Sequence, residues 1–149
     1  MLKPLFFALT IAAGVASAAG PYTPAQINSA IKQAGGPEKF LAAISTNAAK
    51  MSGQMLDSET QLTAAATHEK TIVNYMRLVN YEKKDIENLS ALRQKVAKTN
   101  SPSVCTAPVS SILINEYDAE FKYMVYSKSG EYLYDYSFNK KTCSSSYAW

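Results

Sequence analysis

The two cysteines of this chain, Cys105 and Cys143, constrain its fold more than any other feature of the sequence. No other cysteine is present among the 149 residues, so only one internal disulfide can form. That bond would close a loop of about 39 residues, and the chain-entropy model gives it up to about 4 kcal/mol. The spacing is not C-x-x-C and the chain has one histidine, so we expect a structural disulfide rather than a redox pair or a zinc site.

Residues 1–18 have the pattern of a cleaved secretory signal peptide. Lys3 supplies the positive charge, an apolar core of about eleven residues runs from Leu5 to Val15, and an A-x-A box occupies 16–18. The core is shorter than the roughly 20 apolar residues that span a bilayer, so a membrane anchor is not expected. Exported proteins reach an oxidising compartment in which two cysteines normally pair. We therefore predict a periplasmic or secreted location, with residues 19–149 forming a single domain.

The composition excludes several classes of protein. Hydrophobic residues make up 47% of the sequence and charged residues 18%, which is typical of a globular domain and not of a disordered chain or a coiled coil. The formal net charge is only +3, and it falls by one when Lys3 leaves with the signal peptide. So small an excess gives no clustered basic surface. We predict no nucleic-acid partner and no stable insertion into a membrane.

Helical periodicity and helix-capping residues predict four helices. The first begins with Thr23 as N-cap and Pro24 at the first helical position, and Gly35-Gly36 ends it. The third is expected to stop before the Asn100–Ser103 stretch, which contains a proline. The predicted helices cover residues 24–34, 37–51 and 84–98, together with 108–114, which fits a short helix or a strand and is interpreted as a helix.

Four strands are predicted between and after these helices. Residues 71–81 are β-branched and aromatic, without glycine or proline, and form the clearest strand. Residues 56–66 fit a helix or a strand, and their threonines favour the strand. Strands at 121–126 and 131–138 are joined by a turn in which Gly130 suits a positive φ. Because helices and hairpins follow one another without β-α-β alternation, we predict an α+β fold: a four-stranded antiparallel sheet with helices packed on one face, and one disulfide.

Part of the chain resembles a group of small exported bacterial proteins of unknown function. The similarity lies in Met55-Leu56-Asp57 through Thr60-Gln61-Leu62, in Tyr75, and in Leu78-Val79-Asn80-Tyr81. The resemblance spans residues 37–143 and implies a helix, a D-x-x-T-x-L strand, a tyrosine-rich strand, a helix and a closing hairpin flanked by cysteine. It implies no activity.

Groups for catalysis are sparse in the sequence. His68 opens a stretch that begins like a zincin motif, but the second histidine four residues later is missing. No G-x-S-x-G elbow, G-x-G-x-x-G loop or P-loop occurs. Carboxylates that lie close in sequence are candidates for glycosidic chemistry, although a solvated turn explains them as well: Glu116, Asp118, Glu120, Glu131 and Asp135.

The closing hairpin is unusually rich in tyrosine, with seven of the ten tyrosines between Tyr117 and Tyr147. If Ser127 pairs with Glu131, one face of this hairpin carries Lys122, Met124, Tyr126, Tyr132, Tyr134 and Tyr136. Both faces are apolar enough for burial, so the pattern does not decide which one faces the core. The face is interpreted either as a packing surface of the sheet or as a docking surface, since tyrosine is enriched at protein interfaces.

These observations favour an exported, non-catalytic interaction factor that binds another envelope or secreted protein. An inhibitor, an immunity protein and an envelope-assembly accessory all fit this description. One alternative is a small secreted hydrolase that uses His68 or the acidic residues. Another is a carrier of an apolar ligand held between sheet and helices, lined by Met76, Leu89 and Phe40. The sequence predicts no cofactor and no metal.

Overall fold

Four helices, a short 3-10 helix and four strands make up residues 22–149, the part of the chain that this computed structural model describes. The predicted signal peptide at 1–18 lies outside the described residues. No helix within 22–149 is both long and apolar enough to span a membrane. In chain order the elements are α1 Pro24–Gln33, α2 Pro37–Ala49, β1 Thr60–His68, β2 Thr71–Leu78, the 3-10 helix Lys83–Asp85, α3 Leu89–Cys105, α4 Pro108–Tyr117, β3 Glu120–Tyr126 and β4 Tyr132–Phe138.

The four strands form one mixed sheet in the order β1-β2-β3-β4. The outer pairs are antiparallel hairpins, whereas the central strands β2 and β3 run parallel, with Thr71 opposite Glu120. The α+β class is therefore confirmed, but the prediction of a wholly antiparallel sheet is wrong at its centre. The physical reason is that α3 and α4 together form a crossover, which returns the chain to the end of the sheet where β2 began.

Helix α1 begins and ends where its capping residues predict. The Gln26 backbone N–H donates to Thr23 Oγ1 (3.3 Å), and the Thr23 N–H donates to Gln26 Oε1 (2.9 Å), which completes a capping box. Gly35 and Gly36 follow the helix with positive φ values of 90° and 114°. This conformation favours glycine, and it lets α2 start at Pro37 without an intervening loop.

Helix α3 lies further along the chain than predicted. It begins after Asn88, whose side chain accepts a hydrogen bond from the Ala91 N–H (2.9 Å), and it continues through Pro102 to Cys105. Proline removes one helical hydrogen bond, but packing on both sides of it holds the helix. Val104 is buried, and Asn100 Nδ2 donates to Tyr136 Oη (3.2 Å).

The predicted disulfide is present between Cys105 and Cys143, which are 38 positions apart. It joins the last residue of α3 to the turn that follows β4, and therefore fixes the crossover to the end of the sheet.

One face of the sheet is buried against the helices and the other is left open. Burial alternates along β2 and β3, as expected for strands that face a core on one side only. Helix α2 packs over β1 and β2, and α3 packs over β4. The sheet contributes these side chains, among others, to the core: Leu62, Ile72, Met76, Leu78, Phe121, Tyr123, Val125 and Phe138.

Candidate functional site

The closing hairpin has a bulge that the sequence did not predict. Ser127 N–H donates to the Glu131 carbonyl oxygen (2.8 Å), and Tyr126 lies opposite Tyr132, as expected. Beyond this pair the register slips, because Leu133 is an extra residue on β4 and Val125 pairs with Tyr134. A shift by one residue reverses which face each following side chain occupies.

This slip divides the six residues predicted to share one face. Tyr134 and Tyr136 point into the core, where they are 5% and 1% exposed, so their placement on the candidate face was wrong. Burial raises the pKa of both phenols and that of Tyr123. The rings of Tyr123 and Tyr136 stack with centroids 5.1 Å apart. The rings of these three tyrosines therefore pack within the core and offer no surface to a partner.

The other four predicted residues lie on the open face of the sheet. Lys122 Nζ pairs with Asp135 Oδ2 (3.2 Å), and Met124 lies between Tyr75 and Asp135 in the strand register. Tyr75, which was not among the residues predicted for this face, extends the aromatic surface onto β2. The four residues that remain as a candidate interaction face are Lys122, Met124, Tyr126 and Tyr132.

Three tyrosine rings form a continuous strip on this face. The ring centroids of Tyr75 and Tyr126 are 6.4 Å apart, and those of Tyr126 and Tyr132 are 6.0 Å apart at 75°. Such stacked and edge-to-face pairs hold the rings in place. Partial burial and then the nearby Asp135 carboxylate raise the pKa of Tyr132.

A row of five side chains crosses the open face at right angles to the strands, and we call it the transverse row. Met55 pairs with Gln61, Gln61 with Arg77, Arg77 with Tyr126, and Tyr126 with Tyr132. Its two ends are Met55 and Tyr132, which are 49% and 45% exposed and are the large hydrophobic side chains most exposed within residues 22–149. With strands about 4.8 Å apart, the row is about 19 Å long.

Arg77 stands at the centre of the transverse row. Its side chain is exposed, and it takes part in none of the ion pairs or side-chain hydrogen bonds within the described part of the chain. On one side of Arg77 the row continues with Gln61 and then Met55. On the other side it continues with Tyr126 and then Tyr132. Alternation along the predicted strand at 71–81 puts Tyr75 and Arg77 on one face. It does not join that face to the closing hairpin, because this requires the parallel pairing of β2 with β3.

The hydrolase alternative based on His68 has no support in the geometry. His68 is exposed at the end of β1, next to the turn formed by Glu69 and Lys70. Among the described residues, no carboxylate or hydroxyl lies within hydrogen-bond distance of its ring, so nothing orients it as a base.

The acidic residues are dispersed rather than paired with one another. Each of four is tied to a different partner, which is the arrangement of a solvated surface. Within residues 22–149 no three His, Cys, Asp or Glu side chains are grouped so that they could hold a metal ion. The contacts are Glu116 with Asn28 (3.0 Å), Asp118 with Lys140 (2.7 Å), Glu131 with Lys83 (3.1 Å) and Asp135 with Lys122 (3.2 Å).

The three residues suggested as the lining of an apolar ligand site belong to the core. Met76 is 3% exposed and lies within the main cluster of buried side chains. Phe40 and Leu89 are partly buried and pack against the same cluster. Their contacts are therefore those of side chains that stabilise the fold.

The sequence matches no protein-family model, and no curated protein matches it. Solved structures share its fold. A protein of Pseudomonas aeruginosa inferred to be secreted has a TM-score of 0.59 and 12% identity, over 84% of this chain and all of the other. The pilotin EpsS of the type 2 secretion system of Vibrio vulnificus has a TM-score of 0.57 and 8% identity, over 78% and 97%. The type II secretion system pilotin AspS of Vibrio cholerae has a TM-score of 0.53 and 9% identity, over 78% and 98%.

At identities this low, the similarity is one of fold. The solved structures that share it are those of a protein inferred to be secreted and of two secretion pilotins. The periplasmic or secreted location is the prediction made from the amino-terminal segment and the cysteines.

Proposed function

We propose that this chain is an exported, non-catalytic accessory of envelope assembly, which binds another envelope or secreted protein through the open face of its sheet. The observation that carries the proposal is the transverse row, in which the exposed Met55 and Tyr132 lie at the two ends and Arg77 lies at the centre.

The residue types of this row are those that contribute most to protein binding. Tyrosine, methionine and arginine are enriched in the cores of interfaces, and tyrosine and arginine dominate binding hot spots. Tyr126 and Tyr132 are held by ring contacts, so little conformational entropy is lost when a partner covers them. The Lys122–Asp135 ion pair beside the row supplies a polar rim whose charges already satisfy each other.

Arg77 gives the partner a chemical requirement. A guanidinium covered by an apolar surface without a counter-charge loses its hydration and gains nothing in return. A carboxylate on the partner would form charge-assisted hydrogen bonds with Arg77 instead. We therefore propose a partner that places an acidic side chain between two apolar contacts, one on Met55 and one on the tyrosine strip.

The shared fold favours assembly over inhibition or immunity. Two of the three solved structures are pilotins of type II secretion systems. By analogy with them, we propose that the partner is a component of a secretion system of the cell envelope.

The test is a comparison of charge reversals in capture experiments. The exported protein is immobilised and exposed to detergent-solubilised envelope proteins of its host, and the captured proteins are identified by mass spectrometry. Arg77→Glu, on the open face, is compared with Lys95→Glu, which reverses an exposed charge on α3. We expect Arg77→Glu to lose the main captured protein and Lys95→Glu to retain it.

Tyr132→Ala supplies a second, uncharged variant. It removes an exposed ring at one end of the row, so it should weaken capture at least tenfold while circular dichroism stays unchanged. Capture that is equal for the parent, Arg77→Glu and Tyr132→Ala would show that the open face is not the binding surface.

A further inference from the structure

The two outer edges of the sheet are protected differently. Along β4, α3 packs against the strand and Arg93 Nε donates to the Asp135 carbonyl oxygen (2.6 Å). Along the first half of β1, the chain's own residues 53–56 occupy the position of a fifth strand. The Gly53 N–H donates to the Leu62 carbonyl oxygen (2.7 Å), and the Leu62 N–H donates to the Gln54 carbonyl oxygen (3.1 Å).

The second half of β1 has no such cover. The Glu59 carbonyl accepts from the N–H of Val79, the residue after β2, whereas the N–H and C=O of Leu62 bond outward to residues 53 and 54. Because the bulge after Leu62 adds one residue, the alternation of an antiparallel ladder then turns the N–H and C=O groups of Ala65 and Thr67 away from β2. Within residues 22–149, none of the hydrogen bonds outside the helix and strand ladders uses these four groups.

This free edge lacks the devices that normally prevent strand addition. Edge strands are usually protected by proline, by charged side chains or by a covering segment. Residues 64–67 read Ala-Ala-Ala-Thr, with neither proline nor charge. The edge is also held in place, because Thr67 Oγ1 donates to Ser45 Oγ of α2 (2.5 Å). A fixed ladder of free donors and acceptors is suited to an extended backbone.

We propose that the free half of β1, residues 64–67, receives an extended segment of the partner protein, which adds to the sheet as a strand. The inference rests on the proposed partner-binding function and specifies how that partner is held. The segment continues the fifth-strand position that residues 53–56 already occupy beside β1. Its alternate side chains lie next to Ala64 and Ala66 on the open face, where the small alanines leave room toward Tyr75.

A second copy of this chain fits the same edge less well. Self-pairing through residues 64–67 would use four free backbone groups from each copy and mainly alanine side chains. A stable dimer normally buries at least about 1,200 Å² in total, and pairing through so short a stretch falls well below this area. A partner segment can add contacts over the neighbouring open face, as the proposed function requires.

The test uses random linear peptides displayed on phage and selected against the exported protein. Selected peptides are synthesised and titrated into isotope-labelled protein, and amide hydrogen exchange is measured by NMR. We expect an alternating apolar pattern in the peptides. We also expect at least tenfold slower exchange at Ala65 and Thr67 when peptide is bound, whereas Ala64 and Ala66 are already protected in the free protein.

Two substitutions at one position separate the edge from the open face. Ala65→Pro removes an outward N–H that makes no bond to β2, and Ala65→Ser keeps it. The first should weaken peptide binding at least tenfold and the second should leave it unchanged. If Ala65→Pro disturbs the fold, amide hydrogen exchange at Ala65 and Thr67 of the parent protein tests the proposal instead.

Three results would overturn the inference: no selectable peptide, unchanged exchange at Ala65 and Thr67, or equal binding by both Ala65 variants in folded protein. If Arg77→Glu loses the captured envelope protein but Ala65→Pro retains it, the proposed function stands and strand addition alone is rejected.

Discussion

Asn74 and Tyr123 lie at directly paired positions of β2 and β3, with both side chains on the buried face of the sheet. Neither the Asn74 amide nor the Tyr123 hydroxyl has a hydrogen-bond partner among the described residues. Each unpaired polar group in a core costs roughly 1–3 kcal/mol. The centre of the sheet thus carries a polar pair that lowers the stability of the fold.

Replacing Asn74 with leucine should stabilise the protein. Leucine is close to asparagine in shape but has no polar group to desolvate, so we expect the free energy of unfolding to rise by about 1–3 kcal/mol. Urea denaturation followed by circular dichroism measures this change. A decrease in stability would show that the Asn74 amide has a bonding role.

Asn100→Leu is the matched substitution and should have the opposite sign. Asn100 Nδ2 donates to Tyr136 Oη (3.2 Å), and both residues are buried. The substitution leaves a hydroxyl without a donor in the core, which should lower the free energy of unfolding by about 1–3 kcal/mol. Combining it with Tyr136→Phe should recover part of the loss. Strictly additive effects of the two changes would mean that this hydrogen bond contributes nothing.

Reduction of the Cys105–Cys143 bond should destabilise the protein without abolishing the sheet. The bond restricts the unfolded chain over a separation of 38 residues, which corresponds to at most about 4 kcal/mol. Thermal unfolding of the Cys105→Ser, Cys143→Ser double variant is expected at a lower temperature than that of the parent. An equal melting temperature would mean that packing alone fixes α3 to the turn after β4.

Alkaline pH should destabilise the fold through its buried tyrosines. Burial raises the pKa values of Tyr123, Tyr134 and Tyr136 above the ordinary value near 10. Below about pH 10 both the folded and the unfolded chain keep these protons, so these tyrosines do not reduce the free energy of unfolding. Above it the unfolded chain releases protons that the folded chain retains, so the free energy of unfolding falls as pH rises toward the raised pKa values.

Tyr134→Phe removes one of these groups and supplies the control. Urea denaturation at a series of pH values from about 8 to about 11 should give a smaller decline for this variant than for the parent. Equal slopes for the two proteins would show that Tyr134 titrates in the folded state as it does in the unfolded chain.

Local signals predicted most of the elements correctly. Thr23, Pro24 and the Gly35-Gly36 pair define α1 through backbone chemistry that involves neighbouring residues only. The strand before the Glu69-Lys70 turn and the hairpin closed by Gly130 have the same local origin, and the disulfide followed from a pair of cysteines with no other partner.

The errors have a common cause, which is that they depend on contacts between distant residues. Pro102 ends a helix by local rules, but burial of Val104 and the Asn100–Tyr136 hydrogen bond carry α3 past it. Leu133 is not marked as a bulge in the sequence, yet it moves Tyr134 and Tyr136 into the core. The transverse row was beyond prediction because Met55, Arg77 and Tyr132 meet only in the finished sheet.

The parallel pairing of β2 with β3 also sets the order in which this chain can assemble. The crossover of residues 79–119 separates the two central strands, so their contact cannot form until β3 is available beside β2. Contacts between residues so far apart form slowly, because a long loop must close before any pairing energy is gained. We therefore expect the two outer hairpins to form early and the central pairing of β2 with β3 to close the sheet last.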